Sequence, residues 1–408
     1  MKRGKLITFK YDNCLIPKNK IFSTEKKLIP EIKKLENYEC VKLPDENKIL
    51  HVVEAAIAMK KKLRPQLIVV TGIGGSNLGT MAVQEALLGK HAPILYADTV
   101  DPDALQYIME AMQNVLRQGQ QVILNVVSKS GTTTETIANF EVLLNVLKRH
   151  RKDAEKYVVA TTDKDSKLWQ LAVKNNFSVL EIPKNVGGRY SIFTPAGLFP
   201  LGMLGIDLKE LLGGAAQMKQ DCLALKNNPA AIGASILYLQ NRNIYDSFYF
   251  ATELESLGKW HRQLLAESTG KTNKAITPTV SIGSTDLHSV AQLYLGGPQD
   301  KFTNFVTTHF NNTIKVPYYP EYNSLVENLQ KKELNHIMHA ILQGVKKAYK
   351  KGKRPYTETH IAKNAGAIGA YMQLKMMETI LLAKLLKVNP FDQPAVEMYK
   401  KETKRYLH

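Results

Sequence analysis

Apolar positions along this chain follow two alternating rhythms. Short runs rich in β-branched residues, "QLIVVT" (66–71), "PILYAD" (93–98), "QVILNVV" (121–127), "KYVVATT" (156–162) and "SVLEI" (178–182), read as strands. Between them the apolar residues recur at helical spacing over stretches of roughly ten to twenty residues, and "NKILHVVEAAIAMKKKL" predicts a helix ahead of the first strand. Such alternation predicts a parallel sheet with helices on both faces. A run dense in glycine and proline, 186–207, closes this unit. The rhythm then resumes: helices over 208–225 and 228–242, "SFYFAT" as strand, a helix through "LESLGKWHRQLLAES", "PTVSI" as strand, a helix after "STDLH", and "KFTNFVTTH" as strand. A long helix over 362–387 and a short tail finish the chain, whereas the first 45 residues are lysine-rich and weakly patterned. The expected fold class is therefore α/β: two αβα sandwich domains with mainly parallel sheets and a C-terminal helical tail. The divisions are an N-terminal extension (1–45), a first domain (46–207), a second (208–388) and the tail (389–408).

Composition narrows this picture. Of 408 residues 44% are hydrophobic and 23% charged, which suits globular domains and excludes disordered and collagen-like classes. Three scattered cysteines, Cys14, Cys40 and Cys222, make neither a disulfide framework nor a zinc motif and point to a reducing, cytoplasmic compartment. The start "MKRGKLITFKYDN" lacks the apolar core of a signal peptide, and no uncharged run is long enough to span a bilayer, so no membrane partner is expected. A net charge of +18 admits nucleic acid or an acidic substrate. Its densest cluster, "KKAYKKGKR", ends a helical pattern with little aromatic interleaving and reads as a solvated face, so no nucleic acid is expected.

Ligands of parallel sheets bind beyond the carboxyl ends of the strands, and two loops there carry chemistry. After the first strand, "GIGGSNLG" has Gly72 and Gly74 of a dinucleotide fingerprint, but Asn77 holds the third glycine position and Asp98 the place of the ribose-binding acid. With Gly75 and Ser76 at the turn, it equally suits a smaller phosphorylated ligand. After "QVILNVV" comes "SKSGTTTET". Thr132-x-x-Glu135 predicts a capping box for the helix that follows, but this leaves Ser128, Lys129, Ser130, Thr133 and Thr136 unexplained. Hydroxyls, a lysine and a glycine at a helix N-terminus make a seat for phosphate. Glu267 falls in the last turn of a predicted helix, facing the negative end of its dipole, with Gln263 one turn earlier on the same face. His288 follows Asp286, a candidate N-cap. His336 and His339 have metal-like spacing without further ligands in a motif and read as helix surface, so no metal is expected.

Six stretches, "GIGGSNLG", "SKSGTTTET", "VGGRYSIFTPAGL", "QLLAESTGK", "TDLHSVAQLYLGGPQDKFTNF" and "FDQPAVEMYKK", resemble in order the motif blocks of the glucose-6-phosphate isomerase family. The resemblance runs from about residue 68 to the C-terminus; Pro394 and Ala395 depart from the tryptophan and glycine of many animal relatives. It implies two sugar-isomerase domains, a sugar-phosphate substrate, no cofactor, and a homodimer. The implied reaction is the aldose–ketose isomerisation of glycolysis and gluconeogenesis, through ring opening and an enediolate. Residue by residue it implies Glu267 as the base, Arg189 as the cation beside the enediolate and His288, supplied across the subunit interface, for ring opening. Lys400, seven residues after Gln393, is implied at the sugar ring oxygen, and Gln263 at the phosphate.

Overall fold

The computed structural model of the protein describes residues 5–273 and 275–407; residues 1–4 and 408, the outer ends of the expected extension and tail, and Lys274 lie outside the described residues. Two five-stranded sheets organise it. The first contains β2 (Pro65–Thr71), β3 (Ile94–Ala97), β4 (Gln121–Ser128), β5 (Val158–Thr162) and β6 (Ser178–Glu181), all parallel, in the order β3-β2-β4-β5-β6. Strand order reverses between β2 and β4, so the connections leaving these neighbours diverge and open a crevice at their carboxyl ends. The two chemistry-bearing loops flank that crevice.

In the second sheet β7 (Ile244–Tyr249), β8 (Thr277–Ile282), β9 (Lys301–Thr308) and β10 (Tyr356–Ile361) run parallel in the order β10-β9-β7-β8. Outside β10 lies β1 (Ile7–Lys10), antiparallel, with Ile7 opposite Ile361. The N-terminal segment, patterned too weakly to assign, thus supplies an edge strand to the sheet formed furthest from it in sequence. Pattern also misses β10, because Thr357, Glu358 and Thr359 look like a polar loop. In the fold Thr357 and Thr359 both donate to the buried Asn304 Oδ1, at 3.0 and 3.1 Å, and Glu358 pairs with Lys346 at 2.7 Å.

Between the sheets runs the helix Ala365–Leu385, buried on every face along nearly its whole length. Its sequence, "AGAIGAYMQLKMMETILLAKL", is apolar all round, as a central helix must be. Lys375 and Glu378 are buried there as a pair at 2.8 Å, which spares each an unpaired charge. No described helix is long and apolar enough to cross a membrane.

Lys60, at the end of the helix Asn47–Lys61, is buried and donates to the Lys156 and Val158 carbonyls at 2.5 and 3.4 Å. Burial lowers its ammonium to about 8. An unfolded lysine titrates near ~10.4, so between these values the unfolded chain holds a proton that the folded chain has released, and stability rises with pH across that window. Urea unfolding of the parent and of Lys60→Met at pH 7.5 and 9.5 is expected to differ in pH dependence, the parent gaining more, by on the order of 3 kcal/mol at most. The same pH dependence in both proteins would show that Lys60 stays charged.

Candidate functional site

Gly75 sets the centre of the site. It lies in a 3₁₀ turn, Gly74–Ser76, just beyond β2, against the loop that carries Arg189. A Cβ on Gly75 would stand 2.2 Å from the Gly188 carbonyl carbon, so only glycine allows the two loops to meet. Ser191 Oγ donates to the Gly75 carbonyl at 3.2 Å and holds the contact.

Arg189 is almost wholly buried, and each of its five N–H groups finds an acceptor. Nε donates to Ser268 Oγ at 2.9 Å; Nη1 donates to Glu267 Oε2 at 3.1 Å and to Gln393 Oε1; Nη2 donates to the Pro390 and Asp392 carbonyls at 2.6 and 3.2 Å. The arginine therefore ties the first domain to the last turn of the helix Glu255–Thr269 and to the start of the tail. Lys271 adds a second tie, pairing with Asp392 at 3.0 Å and donating to the Asn389 carbonyl. Beneath the guanidinium Tyr190 OH shares a hydrogen bond with Ser268 Oγ at 2.9 Å, and burial pushes its phenol well above the ordinary tyrosine range.

Glu267 keeps an exposed edge, about 29% of its side chain, although both its oxygens are held. Gln263 Nε2 donates to Oε1 at 2.8 Å and Arg189 to Oε2. The carboxylate is thus fixed beside a cation by charge-assisted hydrogen bonds to both oxygens. Gln263 is in turn close to the first loop: a Cβ on Gly74 would lie 2.9 Å from its Nε2.

The hydroxyl loop after β4 sits on the other side of the crevice, and here the structure corrects one expectation. Thr133, not Thr132, is the N-cap of the helix Thr134–His150, and it makes no side-chain cap. Thr132 Oγ1 and N instead donate to Ser130 Oγ, both at 3.3 Å, so the capping box does not form. Ser128 Oγ and Thr133 Oγ1 lie 3.0 Å apart, and Thr136 Oγ1 is buried with no partner among the described residues. Gly131 turns the loop at φ +66°, where a Cβ would lie 2.9 Å from Leu168 N. Lys129 Nζ donates to the Lys184 carbonyl at 2.6 Å, and burial pulls its ammonium below the ordinary lysine value. An uncapped helix N-terminus ringed by hydroxyls and a lysine can hold a dianion. Replacing Ser128 and Thr133 together by alanine is expected to weaken a phosphorylated inhibitor about tenfold or more, two lost hydrogen bonds being worth ~1 kcal/mol each. Unchanged affinity in calorimetry, with the circular dichroism intact, would limit these hydroxyls to a structural role.

Two expected site residues stand apart. His288 is exposed at the end of a 3₁₀ turn, Thr285–His288, and Asp286 does not cap a helix: its carboxylate accepts from Ile282 N at 2.7 Å and from Ser289 Oγ at 2.9 Å. The helix that follows is short, Ala291–Gly296. Lys400 lies on the helix Pro394–Tyr406 and pairs with Glu397 at 2.9 Å; Val396, one turn before it, is half-buried. Among the described residues no hydrogen bond or ion pair joins either to Arg189 or Glu267. Ser268, Lys271 and Gln393, conversely, enter the network from motif blocks in which pattern alone gave them no task. His336 and His339 are exposed on the helix Leu334–Lys351, and no three side chains of metal-binding type converge among the described residues.

Residues 56–294 match the family model described as phosphoglucose isomerase. A probable glucose-6-phosphate isomerase of Methanococcus maripaludis is 33% identical over 347 residues, covering 82% of this chain and 77% of that protein. The glucose-6-phosphate isomerase of Carboxydothermus hydrogenoformans is 33% identical over 390 residues, covering 88% of this chain and 82% of the relative. In fold the chain is similar to the crystal structure of a glucose-6-phosphate isomerase from Chlamydia trachomatis, with a TM-score of 0.83 at 18% identity over 98% of this chain and 88% of that one.

Proposed function

This chain belongs to the phosphoglucose isomerase family and interconverts glucose 6-phosphate and fructose 6-phosphate, and we propose that it does so with Glu267 as the base that moves a proton between C2 and C1. The observation that carries this assignment is the grip on that carboxylate: Arg189 on one oxygen, Gln263 on the other, at a crevice whose far wall is the hydroxyl loop. With the phosphate seated by Ser128, Lys129, Ser130, Thr133 and Thr136, and the sugar resting on Gly75 and Ser76, the open chain extends toward Glu267.

Glu267 takes the C2 proton and the electron pair of that bond flows toward the carbonyl, giving an enediolate. The same proton then returns to C1 while the hydroxyl proton passes from O2 to O1, so nothing is oxidised or reduced overall outside the sugar. As the proton arrives, negative charge leaves the carboxylate for the substrate, a few ångströms away. Arg189 serves both states: its N–H groups stay on protein acceptors, and its charge compensates the carboxylate before transfer and the enediolate after it. Because it is already ordered, no reorganisation is required during the reaction. Lys400 lies seven residues, about 10 Å of helix rise, beyond Gln393, and serves the ring oxygen during opening. The three cysteines, all buried and free, support a cytoplasmic setting.

His288 works on the site of a second subunit. The helix Glu255–Thr269 crosses from the carboxyl end of β7 back to the amino end of β8, so Glu267 lies near the start of β8. His288 follows its end. A strand of six residues separates them, roughly 20 Å at ~3.3 Å per residue, too far for one chain's imidazole and carboxylate to share a sugar. Mixing Glu267→Gln and His288→Ala chains in equal amounts tests this. If the histidine is exchanged between chains, each mixed dimer holds one doubly damaged site and one intact site. Statistical reassociation is then expected to restore roughly a quarter of the parent activity from two nearly inactive proteins. No restoration, with mixed dimers verified by mass spectrometry, would return His288 to its own chain's site.

A further inference from the structure

Four of the ten histidines, His309, His336, His339 and His360, line one open cavity of about 750 Å³ beyond the carboxyl ends of β9 and β10, facing the helix Leu334–Lys351. The isomerisation uses none of them. Two of the four meet: His309 Nε2 and His360 Nε2 lie 3.1 Å apart, with the rings at 77° to each other. The other nitrogen of His360, Nδ1, lies 3.0 Å from Thr307 Oγ1. Strand pairing explains the arrangement. His360 stands directly beside Thr307 in the parallel register of β9 and β10, and His309, the first residue past the end of β9, reaches the outer nitrogen of the same ring. With its proton on Nδ1, His360 donates to Thr307 and turns the Nε2 lone pair toward His309.

This spacing fits a shared cation. An ion that holds two imidazoles at ~2.0–2.1 Å sets their nitrogens ~2.8–3.4 Å apart for bond angles between square and tetrahedral, and 3.1 Å falls inside that range. A straight N–H···N bond would place the rings end to end. Ring centres only 4.5 Å apart leave them inclined to the line between their nitrogens, as two ligands of one ion are. His309 is exposed and His360 half-buried, so an ion can enter from solvent. We propose that His309 and His360 form a binding site for a divalent transition ion of the zinc class, with Thr307 fixing the ligand tautomer of His360. Imidazole nitrogens select zinc, cobalt, nickel or copper over magnesium and calcium, which require oxygen. Among the described residues no third side chain of metal-binding type completes the set, so water in the open cavity supplies the remaining ligands. On binding, His309 moves its proton from Nε2 to Nδ1 and the ion takes the vacated lone pair, so the two rings lose no proton. The ion ties the start of the segment after β9 to β10, at the end of the second sheet opposite Glu267, and leaves the isomerisation chemistry untouched.

Titration of the chelator-treated chain, made without a histidine tag, with cobalt chloride tests this by the visible absorption of the bound ion, and calorimetry with zinc chloride repeats it. The parent is expected to take up one ion per chain and to melt at a higher temperature with zinc than without. His309→Ala and His360→Ala should each lose that uptake, while circular dichroism and turnover stay those of the metal-free parent. Thr307→Val keeps the shape of the side chain and removes the hydroxyl, and it should weaken binding about tenfold or more, the usual cost of losing the group that orients a ligating histidine. A parent that takes up no ion overturns the proposal. So does uptake that survives in His360→Ala, or that disappears instead from His336→Ala/His339→Ala, which would place the ion on the helix. Parent affinity in Thr307→Val would overturn the part given to its hydroxyl.

Discussion

Glu267→Gln is expected to lose at least 100-fold in kcat, or about 3 kcal/mol of transition-state stabilisation, while sugar-phosphate binding is largely retained. The amide keeps the shape of the side chain, and its oxygen can still accept from Arg189 or Gln263, so the crevice should not collapse. What disappears is the lone pair able to take a carbon-bound proton. The loss should therefore fall on kcat, and exchange of solvent deuterium into C1 and C2 of the sugar should slow in parallel. Exchange at the parent rate would mean that another group moves the proton. With ring opening assigned, as proposed, to His288 and Lys400, the variant should still release the open-chain aldehyde, visible with a carbonyl-trapping reagent.

Arg189→Lys should cost a comparable amount for a different reason. Lysine preserves the charge but offers three donors at a point in place of five in a planar fork, and it cannot reach Ser268, Glu267, Gln393 and the two tail carbonyls together. Acceptors left bare inside a buried site cost about 1–3 kcal/mol each. The expected result is a fall in kcat/KM of about 100-fold or more, on the order of 3 kcal/mol, together with release of the tail. Hydrogen exchange over 389–407 should quicken in Arg189→Lys and remain at the parent rate in Glu267→Gln. Equal protection of the tail in both variants would show that Lys271 and Asp392 hold it unaided.

Local periodicity carried much of this molecule. The β2, β4 and β5 runs, "QLIVVT", "QVILNVV" and "KYVVATT", are continuous apolar stretches because both faces of a parallel strand are covered, and that burial is written into every residue of the run. The glycines of "GIGGSN" and "VGGRYS" were equally legible as places of close approach, although not that Gly75 and Gly188 approach each other. Strands β1 and β10 were not legible. β10 is polar because its hydroxyls bond to Asn304 and its carboxylate to Lys346, partners that only folding brings near; β1 is a short edge strand whose value depends on β10 being there. The hydroxyl loop was visible, but the helix start was misplaced by one residue, since Thr132 and Thr133 are the same residue type and Ser130 takes up Thr132 in the folded loop.

Charge and chemistry divide along the same line. Residue types after a strand marked the Ser128–Thr136 loop as a candidate phosphate seat, because helix termini and crevices follow from local structure, whereas Glu267 and Gln263 took their roles from the resemblance of "QLLAESTGK" to a family motif block. The closure of Arg189 upon Ser268, Glu267 and the Pro390–Gln393 turn joins segments separated by as many as 204 positions, and no local spacing encodes such a meeting. Nor could the order of residues reveal that His288 and Glu267 lie at opposite ends of β8. That separation follows from a crossover helix running antiparallel to its strands.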